Sequence, residues 1–239
     1  MFFNLFISLK FCNTLVPMSF IALIPARKGS TRLKNKNFKL LKGKPLIYYS
    51  IKAAQNCKYI SETHIFSDSK KINDYAVKLG AINKIQRPKN ISLSSTTMHK
   101  TVNYFVNKLN LKKSKFKYLI LLQPTSPQRT SKDLEKACEK ILKNKKADAL
   151  VSSYELKDIL PNKIMFSDGK YLSLNANKKW KKNINCFYRN GPAILITKIK
   201  NILEKNIYEN GKIINFTMKQ KKSIDINTLD DFKKLIKNF

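Results

Sequence analysis

Four cations crowd one short stretch, IPARKGSTRLKNKN at residues 24–37, where Arg27, Lys28, Arg32 and Lys36 surround Gly29 and Ser30. Like charges beside one turn repel unless an anion joins them. A triphosphate is such an anion, because a glycine turn lets backbone N–H groups approach phosphate oxygens while the cations neutralise them. A second stretch, LLQPTSPQRT at residues 121–130, offers Gln123, Thr125 and Ser126 as neutral donors and acceptors, with Pro124 and Pro127 fixing the backbone that presents them. That set suits a polyhydroxylated substrate; taken by itself it also reads as an ordinary strand-to-helix turn with a proline bend. A third stretch, SIDINTLDDF at residues 223–232, holds Asp225 and Asn227 two apart. On a strand end they point the same way and together present oxygens to a hard cation such as Mg²⁺. Asp230 and Asp231 fall in the first turn of the helix that follows, where acidic residues complement the dipole.

Positioning these stretches requires a scaffold, and the hydrophobic pattern supplies one. Apolar runs of strand length alternate with segments of helical period, the signature of an α/β protein with a mostly parallel sheet covered by helices. Strands are expected at Phe20–Ile24, His64–Ser67, Tyr118–Leu122, Ala149–Ser153, Ala193–Thr197 and Ile213–Thr217. Helical stripes run through Leu46, Ile47, Ile51 and Ala54, then Ile72, Ala76 and Leu79, then Met98, Val102, Phe105 and Leu109. A fourth carries Leu134, Ala137, Cys138, Ile141 and Leu142 behind Thr130 and Asp133, spaced as a capping box, and a fifth closes the chain through Leu229, Phe232, Leu235 and Ile236. In such sheets ligands bind beyond the carboxyl ends of the strands, where the first two chemical stretches lie. Residues 19–239 read as a single domain, with a projecting arm near 155–185 where the pattern weakens.

Composition narrows the function classes. The net charge is +33, but only five of the 48 basic residues are arginines, at 27, 32, 87, 129 and 189, and the lysines are spread along the whole chain. Nucleic-acid readers favour the bidentate arginine fork, so this bias reads as background composition and no nucleic-acid partner is expected. Cys12, Cys57, Cys138 and Cys186 are scattered without a C-x-x-C pair, so neither a zinc site nor a disulfide framework is expected and a cytoplasmic setting fits. The apolar residues 1–17 lack a basic start and a small-residue cleavage site and are too short to span a bilayer. They read as an extension, up to residue 18, from a start assigned too early, and no membrane association is expected.

In order and spacing these segments resemble the acylneuraminate cytidylyltransferase family, whose members make CMP-sialic acid and related CMP-sugars. The resemblance covers about Phe20 to Phe239. It rests on Ala26, Arg27, Gly29, Ser30, Lys36 and Asn37 for A-R-x-G-S…K-N, on Gly43–Ile47 for G-K-P-L-I, on Ser67 with Asp68, on Arg87 with Pro88, on Leu122–Pro127 for L-Q-P-T-S-P, and on Asn190 with Gly191. The relative that activates the eight-carbon acid KDO shares I-P-A-R and S-x-R-L but lacks K-N and L-Q-P-T-S-P. The resemblance implies a three-layer, nucleotide-diphospho-sugar-transferase-like (Rossmann-like) fold and a homodimer built through the small arm. It also implies transfer of CMP from CTP to an acidic nine-carbon sugar, with Mg²⁺ or Mn²⁺ as cofactor.

Carried over by position, Arg27, Gly29, Ser30, Lys36 and Asn37 hold CTP, with Ser94 or Ser95 near the nucleoside. Gln123, Thr125, Ser126, Asn190 and Gly191 face the sugar. Arg27, Lys36 and Asp225 carry the catalysis. Asp225 matches the first of two metal-binding aspartates, and Asn227 stands where the second is expected. Lys178, Lys179, Trp180 and Lys181 occupy the place of an R-R-Q-like stretch, and Pro192 follows N-G where the family has alanine. These departures keep other readings open: a related enzyme with KDO or pseudaminic acid as its sugar, or a CTP-binding homologue with weakened catalysis.

Overall fold

A computed structural model describes residues 19–30, 32–156, 165–167, 172–174, 186–189, 191, 193–202 and 211–239. The run FIALIP forms β1 (Phe20–Pro25), buried along its whole length. Continuous burial fits a central parallel strand covered on both faces. Parallel to it lie β4 (Ile60–Phe66) on one side and β5 (Tyr118–Leu121) on the other. Between β1 and β4 the chain makes a small hairpin, β2 (Leu40–Leu41) and β3 (Lys44–Pro45), whose two turn residues, Lys42 and Gly43, both have positive φ.

The sheet order is β11 (Ile213–Thr217), β6 (Ala149–Leu156), β10 (Leu195–Lys198), β5, β1, β4. Both β6 and β11 run parallel to each other, whereas β10 is antiparallel to β5 and β6 between which it lies. A short β9 (Cys186–Tyr188) pairs with the far end of β6. The sheet is therefore mostly parallel, as the alternating pattern implies, with β9 and β10 reversed. Reversal of β10 has a direct effect on the site: Leu195 opposes Leu121, so the chain entering β10 passes the carboxyl end of β5.

Side chains of β1 alternate between two cores. Phe20, Ala22 and Ile24 pack with Ile47 and Ile51 of α1 (Leu46–Gln55), Ile72 and Ala76 of α2 (Lys70–Lys78), and Leu134 and Ile141 of α4 (Ser131–Lys143). Ile21 and Leu23 pack on the other face with Val102 and Phe105 of α3 (Met98–Lys108). These two faces give the three layers. A third cluster joins Leu33, Leu41 and Leu46 to Ile226 and to Phe232 and Leu235 of α5 (Leu229–Asn238). That cluster draws the cationic loop and the Asp225 segment together. Both α4 and α5 begin with full capping boxes, Thr130 with Asp133 and Thr228 with Asp231, so Asp231 serves the helix end as expected.

The fold departs from the pattern in places. Residues 223–227 form no strand; they run as a loop tied to the site through the Ile226 N–H and the Thr125 carbonyl at 2.9 Å. Within the expected arm, β7 (Met165–Ser167) and β8 (Leu172–Leu174) pair as a hairpin; residues 157–164, 168–171 and 175–185, including Lys178–Lys181, lie outside the described residues, as do 1–18, Asn190 and Pro192. Cys57 and Cys138 are buried, and Cys186 is half-buried on β9.

Candidate active site

At the carboxyl ends of β1 and β5 lies a cavity of about 210 Å³. The loop after β1 contributes Arg27, Ser30, Arg32, Lys36 and Asn37. The approach to α3 contributes Arg87, Ser94, Thr96 and Met98, and the end of β5 contributes Gln123, Pro124 and Thr125. The lining thus combines four cations, Arg27, Arg32, Lys36 and Arg87, with neutral polar side chains. Asn37 fixes the loop geometry, donating from Nδ2 to the Arg27 carbonyl at 3.0 Å. Asp68, just beyond β4, accepts the Lys28 N–H at 2.7 Å and secures the outer limb. Gly29 lines an adjoining cavity with Lys28, Ser30 and Asp68.

Lys36 is the hinge between the cationic loop and the 223–227 segment. Its Nζ donates to the Ile226 carbonyl at 2.9 Å and lies 3.5 Å from Asn227 Oδ1, which also accepts from Arg32 Nη2 at 3.2 Å. Burial lowers its pKa and Asp225 raises it part of the way back, while Arg32 and Arg27 lower it further. An anion entering here would relieve that crowding of cations.

Asn227 turns its amide so that each end meets its complement. Nδ2 donates to Asp225 Oδ2 at 2.7 Å, and Oδ1 faces the two cations. The other oxygen, Asp225 Oδ1, is buried without a hydrogen-bond partner. Among the described residues no three acidic, histidine or cysteine side chains gather around a cation. Mg²⁺ usually takes one or two carboxylates and completes its shell with water and substrate phosphates, so the unpartnered Asp225 oxygen beside the cationic loop fits it. Above Asp225 sits Gly191, at φ +41°, with its α-carbon so close to the carboxylate that a Cβ would overlap it.

The structure brings together Arg27, Ser30, Lys36, Asn37, Ser94, Gln123 and Thr125 around the cavity, with Asp225, Asn227 and Gly191 at its flank. Ser95 does not line it, and Ser126 is buried behind it. Gln123 Nε2 donates to the Gly191 carbonyl at 3.3 Å, and Thr125 Oγ1 is buried without a partner. Arg32, expected among the loop cations, does line the cavity, whereas sequence reading assigned no site role to Arg87 or Arg129. Arg87 lies buried against the Ile91 carbonyl and Thr101, its pKa lowered by burial. Arginine scarcity was the available signal: of five, three line the cavity and Arg129 lies directly behind Gln123. In so lysine-rich a chain, a retained arginine marks a place where a fork is needed.

A cationic pocket at the carboxyl ends of a mostly parallel α/β sheet defines a nucleotide-binding enzyme of the Rossmann-like type. The model of the cytidylyltransferase family matches residues 21–237. CMP-N,N'-diacetyllegionaminic acid synthase of Legionella pneumophila is 33% identical, covering 90% of this chain and 94% of that protein. An N-acylneuraminate cytidylyltransferase of Streptococcus agalactiae serotype V is 28% identical over 89% of this chain, which spans 51% of that relative's length. The solved structure of CMP:2-keto-3-deoxy-manno-octonic acid synthetase complexed with CTP shares the fold, with a TM-score of 0.67 at 15% identity, covering 92% of this chain and 97% of that one. The chain belongs to the cytidylyltransferase family: it is a nucleotidyltransferase, and CTP is its nucleotide substrate.

Proposed function

We propose that this enzyme transfers CMP from CTP to the anomeric hydroxyl of a nonulosonic acid of the sialic or legionaminic type, releasing pyrophosphate, in the supply of activated sugars for cell-surface glycans. The observation that carries the reading is one cavity lined both by the cations Arg27, Arg32, Lys36 and Arg87 and by the neutral polar residues Ser94, Thr96, Gln123 and Thr125. In the reaction the sugar oxygen forms a bond to the α-phosphorus, the bond from that phosphorus to the oxygen bridging the β-phosphate breaks, and pyrophosphate leaves with the bridging oxygen. The hydroxyl proton passes to solvent; among the described residues no histidine lines the cavity.

Arg27, Ser30, Lys36 and Asn37 hold the phosphates, Gly29 leaves the outer backbone open to them, and Ser94, which lines the cavity, lies towards the nucleoside. Arg27 and Lys36 offset charge that accumulates on the departing pyrophosphate. Gln123, Thr125 and Gly191 orient the sugar, with Ser126 packed behind them; Asn190, expected beside Gly191, lies outside the described residues. Mg²⁺ or Mn²⁺, when bound, neutralises phosphate charge and polarises the reacting oxygens. Asp225 would hold it, with Asn227 steadying Asp225 and offering its own oxygen only by giving up its contacts to Arg32 and Lys36. That competition also favours a second reading, a homologue that binds CTP but turns over slowly.

Two features extend the proposal. Phe187 and Tyr188 of β9 are exposed, Tyr188 beside Tyr154, and supply an apolar contact for a homodimer built through the 155–185 arm. A cytoplasmic setting agrees with scattered cysteines that include no C-x-x-C pair. The role of Lys36 is tested by Lys36→Ala, which should lower turnover by about 10² to 10³ while the protein stays folded. Wild-type turnover in that variant would remove Lys36 from the mechanism.

A further inference from the structure

Arg129 is a buried cation with neutral acceptors. Its side chain is 2% exposed, and its guanidinium reaches the Ala193 carbonyl at 2.5 Å, Ser50 Oγ at 2.6 Å and the Gln123 carbonyl at 3.4 Å. Nε has no partner. Burying a charge without a contacting carboxylate is costly, and apolar residues of similar volume commonly serve stability as well or better. Burial pushes the Arg129 pKa down to about 9, with Asp133 pulling it up, so the group remains charged at neutral pH.

What the fork does is geometric. Gln123 Nε2 donates to the Gly191 carbonyl, and two residues later the Ala193 carbonyl accepts from Arg129, which returns to the Gln123 carbonyl. The bonds close a ring joining the end of β5 to the entry of β10, segments 68 residues apart at Gln123 and Gly191. Ser50 anchors the ring to α1 and itself lies 3.3 Å from the Gln123 carbonyl. A lysine keeps the charge but its single ammonium cannot span two carbonyls with a planar fork.

We propose that Arg129 is a positioning residue for the acceptor-sugar half of the site, holding Gln123 and the carbonyls of Gly191 and Ala193 in register from behind, while leaving the CTP half untouched. The proposal rests on the reading that Gln123 faces the sugar. Its test compares wild type, Arg129→Lys and Arg129→Met, each checked for a cooperative thermal transition. CTP affinity should stay within about threefold of wild type while the KM for the acid sugar rises about tenfold or more, the scale of one misaligned hydrogen bond to substrate. Hydrogen exchange should quicken in the peptides spanning 121–126 and 193–196, and Arg129→Lys should recover part of the KM.

Equal weakening of CTP and sugar binding, or unchanged KM and unchanged exchange, overturns the proposal. If Arg129→Met does not fold, Ser50→Ala, which removes one anchor, carries the same split between CTP affinity and sugar KM. Failure of wild type with every acid tried would instead contradict the sugar-acid reading, and the exchange and CTP measurements would still decide whether Arg129 orders the β5–β10 junction.

Discussion

At the scale of single residues, the site depends on a few groups held by close contact. Gly191 is the tightest of these, because its positive φ and its approach to the Asp225 carboxylate each forbid a side chain. Gly191→Ala should push Asp225 aside, and a tenfold or greater loss of turnover is expected with a stability cost of about 1–2 kcal/mol from the left-handed backbone alone. Parallel kinetics and thermal denaturation check it, and full activity would show that the placement of Asp225 is not needed. Asn227 sits in the same network. An aspartate there would set a carboxylate beside Asp225 and replace a neutral oxygen facing Arg32 and Lys36. Asn227→Asp should therefore tighten Mn²⁺ binding, read by titration of the CTP complex; unchanged affinity would mean that position 227 does not contribute to the cation site.

At the scale of elements, the helices that present the site are held by their first turns. Thr130→Ala and Thr228→Ala each remove one side of a capping box and should cost about 0.5–2 kcal/mol. That corresponds to a fall in Tm of a few degrees in a chain of this size. On β4, His64 is 1% exposed and bonds Glu62 Oε2 at 2.7 Å. Burial lowers its pKa, Glu62 raises it part of the way and Lys84 lowers it. The unfolded chain thus binds a proton near pH 6.5 that the folded chain resists, and stability should fall as pH drops below that value. Urea midpoints at pH 7.5 and 5.5 test this, with His64→Leu expected to flatten the slope.

The elements were also the part most open to reading from sequence. Periodicity placed β1, β5, β6, β11 and all five helices, since burial on one stripe or on both faces leaves a plain pattern. It placed only the last part of β4, because Ile60–Glu62 lie half-buried towards the strand's start and carry no apolar run. The β2–β3 hairpin was invisible, each strand being two residues long. Reversal of β10 is a pairing property that no local pattern encodes, yet it is what brings Gly191 to Gln123. Asp225 and Asn227 lie together, but not as two oxygens on a strand end: the 223–227 loop docks on Thr125, and Asn227 turns its amide N–H to Asp225 and its oxygen to Arg32 and Lys36. Arg129 escaped notice because a buried arginine looks like a surface one until its neighbours are known.

For the whole molecule, an excess of 48 basic over 15 acidic residues makes a field that attracts anionic substrates and also holds copies apart. Self-association through exposed Phe187 and Tyr188 would have to overcome that repulsion, so dimerisation should strengthen with salt. Sedimentation should show twice the chain mass, with Tyr188→Ser shifting it towards monomer; a monomer at every salt concentration would contradict the dimer. Among the described residues no helix is long and apolar enough to cross a membrane.

Pyrophosphate release from CTP, with UTP and ATP as controls, in the presence of legionaminic, sialic, pseudaminic and KDO acids, reads the proposed transfer itself. Release is expected with CTP and a nine-carbon acid together, with a product of the mass of the CMP conjugate. Release with UTP and a neutral sugar, or none from a folded protein that binds CTP, would contradict the proposed transfer.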